Sequence, residues 1–134
     1  MHTIKMARNG KEIGDLEVTS YEDVTGTVVL SYKDGFGRSG EVSGFGYFEA
    51  FSKIREIYAA AGVYLLCKGS KLNVFPGGLE SEQSLGRISY EEMHGEFIPV
   101  GIFDQSEISQ LDEGCTYEMQ REARRAAIRR KACR

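Results

Sequence analysis

The run Gly62-Val-Tyr-Leu-Leu-Cys-Lys-Gly-Ser-Lys-Leu-Asn-Val-Phe-Pro-Gly-Gly78 decides the fold class of this 134-residue chain. Residues 63–67 are apolar and include strong strand formers, so they predict a strand. Residues 68–70 predict a reversal and 71–75 a second strand, which together make a hairpin. Pro76-Gly77 suits the centre of a type II turn, because proline fixes the first φ and glycine permits the positive second one. The stretch holds no acid and no histidine. It specifies architecture rather than chemistry.

Working outward, residues 47–61 predict an amphipathic helix. Tyr47, Phe48, Phe51, Ile54, Tyr58 and Ala61 recur at spacings of three and four, and Gly62 is a natural stop. Towards the N-terminus, residues 3–8 and 11–18 flank Asn9-Gly10, the strongest short hairpin signal, with Gly14 marking a bulge. Residues 25–33 predict a third strand with Val28, Leu30 and Tyr32 on one face. Residues 34–46 hold five glycines and predict a loop. Beyond the central run, residues 79–84 predict a polar loop, 85–90 and 98–103 further strands, and 107–114 an acidic loop or short helix. Residues 117–132 predict a helix, since Ala and Arg are strong helix formers and acids stand three residues before arginines. The expectation is an α+β fold. A mostly antiparallel sheet of six or seven short strands is packed by helix 47–61, and a basic C-terminal helix follows. Residues 1–116 would form the α+β domain, with 117–134 as a basic helix belonging to the same unit.

Composition sets the outer limits. Hydrophobic content of 41% and charged content of 28% suit a globular chain of this length, which can bury a core without disulfides or metal. No apolar run approaches the roughly 20 residues of a membrane-spanning helix, and the N-terminus lacks a secretory apolar core. The expected compartment is the cytoplasm. Cys67, Cys115 and Cys133 are scattered and odd in number. With only His2 and His94 beside them, no zinc-ligand spacing arises, and no residue set calls for a cofactor. The net charge of −3 hides an asymmetry: from residue 121 onward seven cations face one acid, a net +6, which leaves −9 on residues 1–120. An acidic body favours fast, selective association with basic proteins and repels nucleic acid.

Three patterns invite chemical readings. Gly35-Phe-Gly37-Arg-Ser-Gly40-Glu-Val42 matches both the dinucleotide-binding and kinase glycine motifs in letters, but the next helix begins only after 43–46. The acid that would bind a ribose is also missing, so the pattern predicts a loop in which Arg38 would grip a carboxylate or phosphate. His94, flanked by Glu92 and Glu96, would serve a small hydrolase as general base, with Cys67 or Ser89 as nucleophile; a solvated loop histidine fits the same letters. The basic end permits three accounts: a solvated face, a helix docked on the acidic body through Ala123, Ala126, Ala127 and Ile128, or a nucleic-acid-binding accessory segment. The last is disfavoured by the acidic body and by the lack of a stacking aromatic among the cations.

Residues 48–61, followed by Val63-Tyr-Leu-Leu-Cys-Lys-Gly-Ser70 and Asn73-Val-Phe-Pro-Gly-Gly78, resemble small bacterial proteins of toxin–immunity systems. These include immunity proteins of contact-dependent growth inhibition. Gly101-Ile-Phe-Asp104 is similar to the closing strand of that unit, so the resemblance covers residues 47–104. It implies a non-enzymatic inhibitor that binds a cognate protein toxin, with a basic nuclease domain as the partner that the acidic body fits best. The acids Glu80, Glu82, Glu91, Glu92, Glu96, Asp104, Glu107, Asp112 and Glu113 lack the regular spacing of a calcium loop and predict a negative partner-binding surface. Tyr90, Phe97 or Tyr117 would be its aromatic anchors.

Overall fold

The computed structural model describes residues 1–76, 87–110, 112 and 114–132. Among these, eight strands divide between two antiparallel sheets, and two α-helices complete an α+β fold. β1 (His2–Arg8), β2 (Lys11–Glu22), β3 (Val28–Asp34) and β4 (Ser39–Gly44) form a meander, and β5 (Tyr64–Leu66) adds to the free side of β1. The order is β4-β3-β2-β1-β5. β6 (Val74–Phe75), β7 (Ile88–Met93) and β8 (Glu96–Gly101) make the second sheet in that order.

The first hairpin follows its turn residues. Asn9 and Gly10 have φ of 53° and 75°, the pair of positive angles that a type I′ turn requires. Register runs from Arg8↔Lys11 and Ala7↔Glu12 to Met6↔Gly14, so Ile13 is the extra residue of a bulge beside Gly14. The glycine-rich stretch departs from expectation, since 39–44 is a strand paired to β3 rather than loop. The reason is close approach. A Cβ on Gly40 would lie 2.6 Å from the Tyr32 hydroxyl, and one on Gly44 would lie 2.8 Å from the backbone nitrogen of Ala50. These glycines let a ring and a helix lie against the strand, a use that composition cannot tell from flexibility.

α1 (Tyr47–Ala59) packs on the inner face of the first sheet. Tyr47, Phe48, Phe51, Ile54 and Tyr58 are buried against Ile4, Met6, Leu16, Val18, Val28 and Leu30, each of which contributes roughly 1.5–3 kcal/mol of hydrophobic stabilisation. Ala61, expected on the same face, is exposed, because the helix has already ended and Gly62 at φ 74° turns the chain away. The opposite face of the sheet is open to solvent.

The central run is not a hairpin. β5 pairs with β1 in the first sheet, whereas β6 pairs with β7 in the second. A 3₁₀ turn at Lys68–Ser70 joins them. Segment 101–106 seals the crossing: Lys68 N donates to Asp104 O, Gly69 N to Ile102 O and Ser106 N to Leu66 O. Phe103 therefore lands among His2, Tyr47 and Phe51, with ring centroids at 4.5, 6.4 and 5.4 Å. The second helix, α2 (Tyr117–Ala132), lies on β6. No helix among the described residues is long and apolar enough to cross a membrane.

Candidate partner-binding surface

The β7–β8 hairpin carries most of the residues singled out from the sequence. Its tip is His94-Gly95, with φ of 54° and 86°, a second type I′ turn in which histidine stands where asparagine stands in the first. The Glu92 carboxylate accepts the Gly95 N–H at 3.1 Å and closes the turn. Register places Phe75, Tyr90 and Pro99 in one row and Glu92 opposite Phe97 on the same face. Phe97 meets Phe75 edge-on at 5.9 Å. Tyr90 and Phe97 are both half-buried. Tyr117 lies instead at the α1–α2 contact, 5.8 Å from the Phe48 ring and beneath Arg121.

The acids do not form one continuous surface. Glu96, Asp104 and Glu107 are exposed, although Asp104 also accepts the Gly101 N–H at 3.0 Å. Glu91 is the clear departure. Alternation along β7 turns it inward, leaving it 4% exposed, where Lys68 approaches to 3.2 Å and Lys71 closer still. Burial acts to raise its carboxyl, but hydrogen bonds from Lys71 and Lys68 outweigh that and hold it below the usual glutamate range. Glu91 is therefore an internal ion-pair acceptor rather than a surface charge. Asp112 accepts the Leu72 N–H at 2.8 Å and is half-buried. Glu92 is half-buried too, 3.8 Å from Arg130. Glu80, Glu82 and Glu113 lie outside the described residues.

A second group of acids escaped the sequence reading. Asp15 and Glu17 on β2 and Glu41 on β4 are exposed on the open face of the first sheet, together with Tyr21 at 66% exposure. Register sets Glu17 between Thr3 and Lys33, and Glu41 beside Ser31, whose hydroxyl donates to it at 3.2 Å. The signal was present in Asp15-Leu16-Glu17-Val18-Thr19, a strict polar–apolar alternation that marks one dry and one wet face.

The catalytic letters are not brought together. His94 is exposed at the hairpin tip, whereas Ser89 is buried five residues back along β7, roughly 15 Å at strand rise. Cys67 is fully buried at the crossing between sheets, and burial pushes its thiol up to about 11. The glycine motif falls on the β3–β4 turn and on β4, not at a helix N-terminus. Among the described residues no three His, Cys, Asp or Glu side chains gather to hold a metal ion.

The basic helix docks on the body. Gln120 is fully buried, and its amide nitrogen donates to the carbonyls of Gly69, Lys71 and Val74 at 3.0, 2.8 and 3.2 Å. Its carbonyl oxygen accepts from the buried Arg55 guanidinium, whose Nε has no hydrogen-bond partner among the described residues. Ala127 is buried and Ala123 and Ala126 half-buried, but Ile128, expected in the same stripe, is 46% exposed. Glutamates temper the cationic face: Arg121 and Arg125 pair with Glu118 at 3.6 and 3.8 Å, and Arg125 also pairs with Glu122. Neither a protein-family model nor a curated protein sequence matches the chain.

Proposed function

We propose that this chain is a non-catalytic immunity protein that binds and neutralises a cognate bacterial protein toxin. Supporting this reading most directly is the outer part of the β7–β8 hairpin. Half-buried Tyr90 and Phe97 share one face there, exposed Glu96 sits at the tip, and β8 is the outer strand of its sheet among the described residues. Aromatic anchors rimmed by acids suit recognition of a basic partner, in which the anchors supply affinity and the acids supply rate and selectivity. A basic nuclease domain fits that description. Asp104 and Glu107 are exposed as well, beyond the end of β8.

The test begins with capture by the tagged chain from its source organism, after nuclease treatment and at moderate salt. The expected result is one stoichiometric protein whose expression arrests bacterial growth and whose effect co-expression of this chain relieves. Phe97→Ala should weaken the complex at least tenfold more than Glu96→Gln, which should mainly slow association at low salt. Recovery of nucleic acid alone, or equal losses from the two substitutions, would overturn the proposal.

A further inference from the structure

A cleft of about 510 Å³ opens where β1, the β3–β4 turn and the end of α1 converge. None of the residues assigned to partner binding lines it. Local backbone shapes it. The bulge beside Gly14 leaves room for the Phe36 ring, which a Cβ on Gly14 would meet at 3.2 Å. Met6, Ile13, Phe36 and Val63 give the cleft apolar walls, and Arg8 and Arg38 supply its cations. Its volume falls in the range of small-ligand sites, which are mostly apolar with a few converging polar groups.

The polar groups differ in what they have left to offer. Asp34 is committed: one carboxylate oxygen accepts the Phe36 and Arg38 backbone N–H groups at 2.8 and 3.0 Å, and the other accepts the Tyr58 hydroxyl at 2.7 Å. Tyr58 has thereby spent its one proton. The two guanidinium groups are different. Arg8 reaches Ala61 O and Arg38 reaches Ile57 O, each at a long 3.4 Å. Neither forms a salt bridge within the described residues. Arg38 also lies over the Tyr58 ring, 5.3 Å from its centroid, which holds the plane and leaves N–H edges for another acceptor. Both arginines line the same cleft, each tethered near the C-terminal end of α1. A carboxylate has two oxygens and can accept a charge-assisted N–H···O bond from a different guanidinium on each.

We propose that this cleft binds a small amphipathic carboxylate, its charge bridged by Arg8 and Arg38 and its apolar group against Met6, Ile13, Phe36 and Val63. Two cations with an apolar floor favour a monoanion carrying a hydrocarbon tail over a compact dianion. This site is independent of the immunity proposal, because it involves neither the hairpin nor its acids.

The probe is 3-phenylpropionate, titrated into the full chain and followed by NMR, with 3-phenylpropanamide and inorganic phosphate in parallel. Saturable shifts at Arg8, Arg38 and Phe36 are expected for the carboxylate, with Kd on the order of 1 mM for a ligand of this size. The amide and phosphate should each bind at least tenfold more weakly. Arg8→Gln and Arg38→Gln should each weaken carboxylate binding about tenfold while thermal unfolding stays within a degree or two, since both side chains are exposed. Phe36→Ala should weaken it about threefold. Equal binding of the amide, equal binding of phosphate, or no saturation by 20 mM would each overturn the assignment.

Discussion

The β1–β2 and β7–β8 hairpins turn on matching backbone angles, at Asn9-Gly10 and His94-Gly95, yet the sheets they belong to are stabilised differently. Beneath the first, Ile4, Met6, Leu16, Val18, Val28 and Leu30 are all at most 2% exposed and meet the aromatic face of α1. In the second, the inward positions of β7 are Ser89 and Glu91, both buried. Glu91 is held by Lys68 and Lys71, and the neighbouring carbonyls at Gly69, Lys71 and Val74 converge on one amide, that of Gln120. Apolar burial tolerates imperfect geometry. A buried polar network stabilises only when every member is satisfied, and it depends on pH. The first sheet should therefore carry global stability, and the second should be the part that conditions can tune.

The largest effect breaks the apolar side. Leu30 is fully buried at the middle of β3, and Leu30→Ala removes its burial and leaves a cavity. It should cost about 2–5 kcal/mol in urea unfolding with an unchanged m-value. A cost under 1 kcal/mol would mean that α1 and the first sheet are not the principal core. Next comes Gln120→Leu, which keeps bulk but takes the amide donor from the Gly69 and Val74 carbonyls and the acceptor from Arg55, while Lys71 O keeps its bond from Val74 N. About 3 kcal/mol is expected, from unsatisfied buried groups at about 1–3 kcal/mol each, partly relieved by water. The contrast lies in where it is felt. Hydrogen exchange should quicken in α2 and around 69–74 while β1–β3 keep their protection. Uniform loss across both sheets would merge the two regions into one.

Glu91 sharpens the comparison through pH. Its folded carboxyl lies below the usual glutamate value, so the unfolded chain takes up the proton more readily as pH falls. The ion-pair stabilisation is thus fully present above the ordinary glutamate pKa of about 4.3 and is lost as pH drops through the depressed folded value. Glu91→Gln should cost about 2 kcal/mol at pH 7, with the gap to the parent closing towards pH 2. A pH-independent gap would assign the loss to packing rather than to charge.

The same contrast explains what the sequence disclosed. Strands β1–β3 and helix α1 could be read from period-two and period-3.6 burial patterns, and Asn9-Gly10 and Gly62 placed their ends. The central run gave both of its strands but not their separation. Val63-Tyr-Leu-Leu and Val74-Phe75 look equally ready to pair with each other, and what divides them is segment 101–106, about 35 residues away, bonding into the crossing. Strand β4 was hidden because Gly40 and Gly44 serve close packing by residues remote in sequence. Among the proposed partner residues, alternation along β7 would have set Ile88 and Tyr90 inward and Glu91 outward, the reverse of what is found, because Lys68 and Lys71, remote in sequence, hold Glu91 on the buried side. Gln120 carried no signal. A glutamine inside an Arg- and Glu-rich helix reads as surface, and its role appears only when three carbonyls from another element face it.

The smallest effect tests whether the two turns are interchangeable. Histidine at φ 54° bears a Cβ clash with its own backbone that asparagine, whose short side chain bonds locally, tolerates better. His94→Asn should therefore raise stability, by about 0.5 kcal/mol, and Asn9→His should lower it by a similar amount, since the two positions have nearly the same angles. The His94 ring is exposed, so no packing change should mask the difference. If His94→Asn instead destabilised the chain, the ring would have a partner beyond the turn. If it left stability raised but abolished binding of the proposed partner, the histidine itself would belong to the interface. A hairpin whose tip serves only as a turn should accept the better turn residue with binding intact, and the proposed affinity would then be sought at Tyr90, Phe97 and the acids beside them.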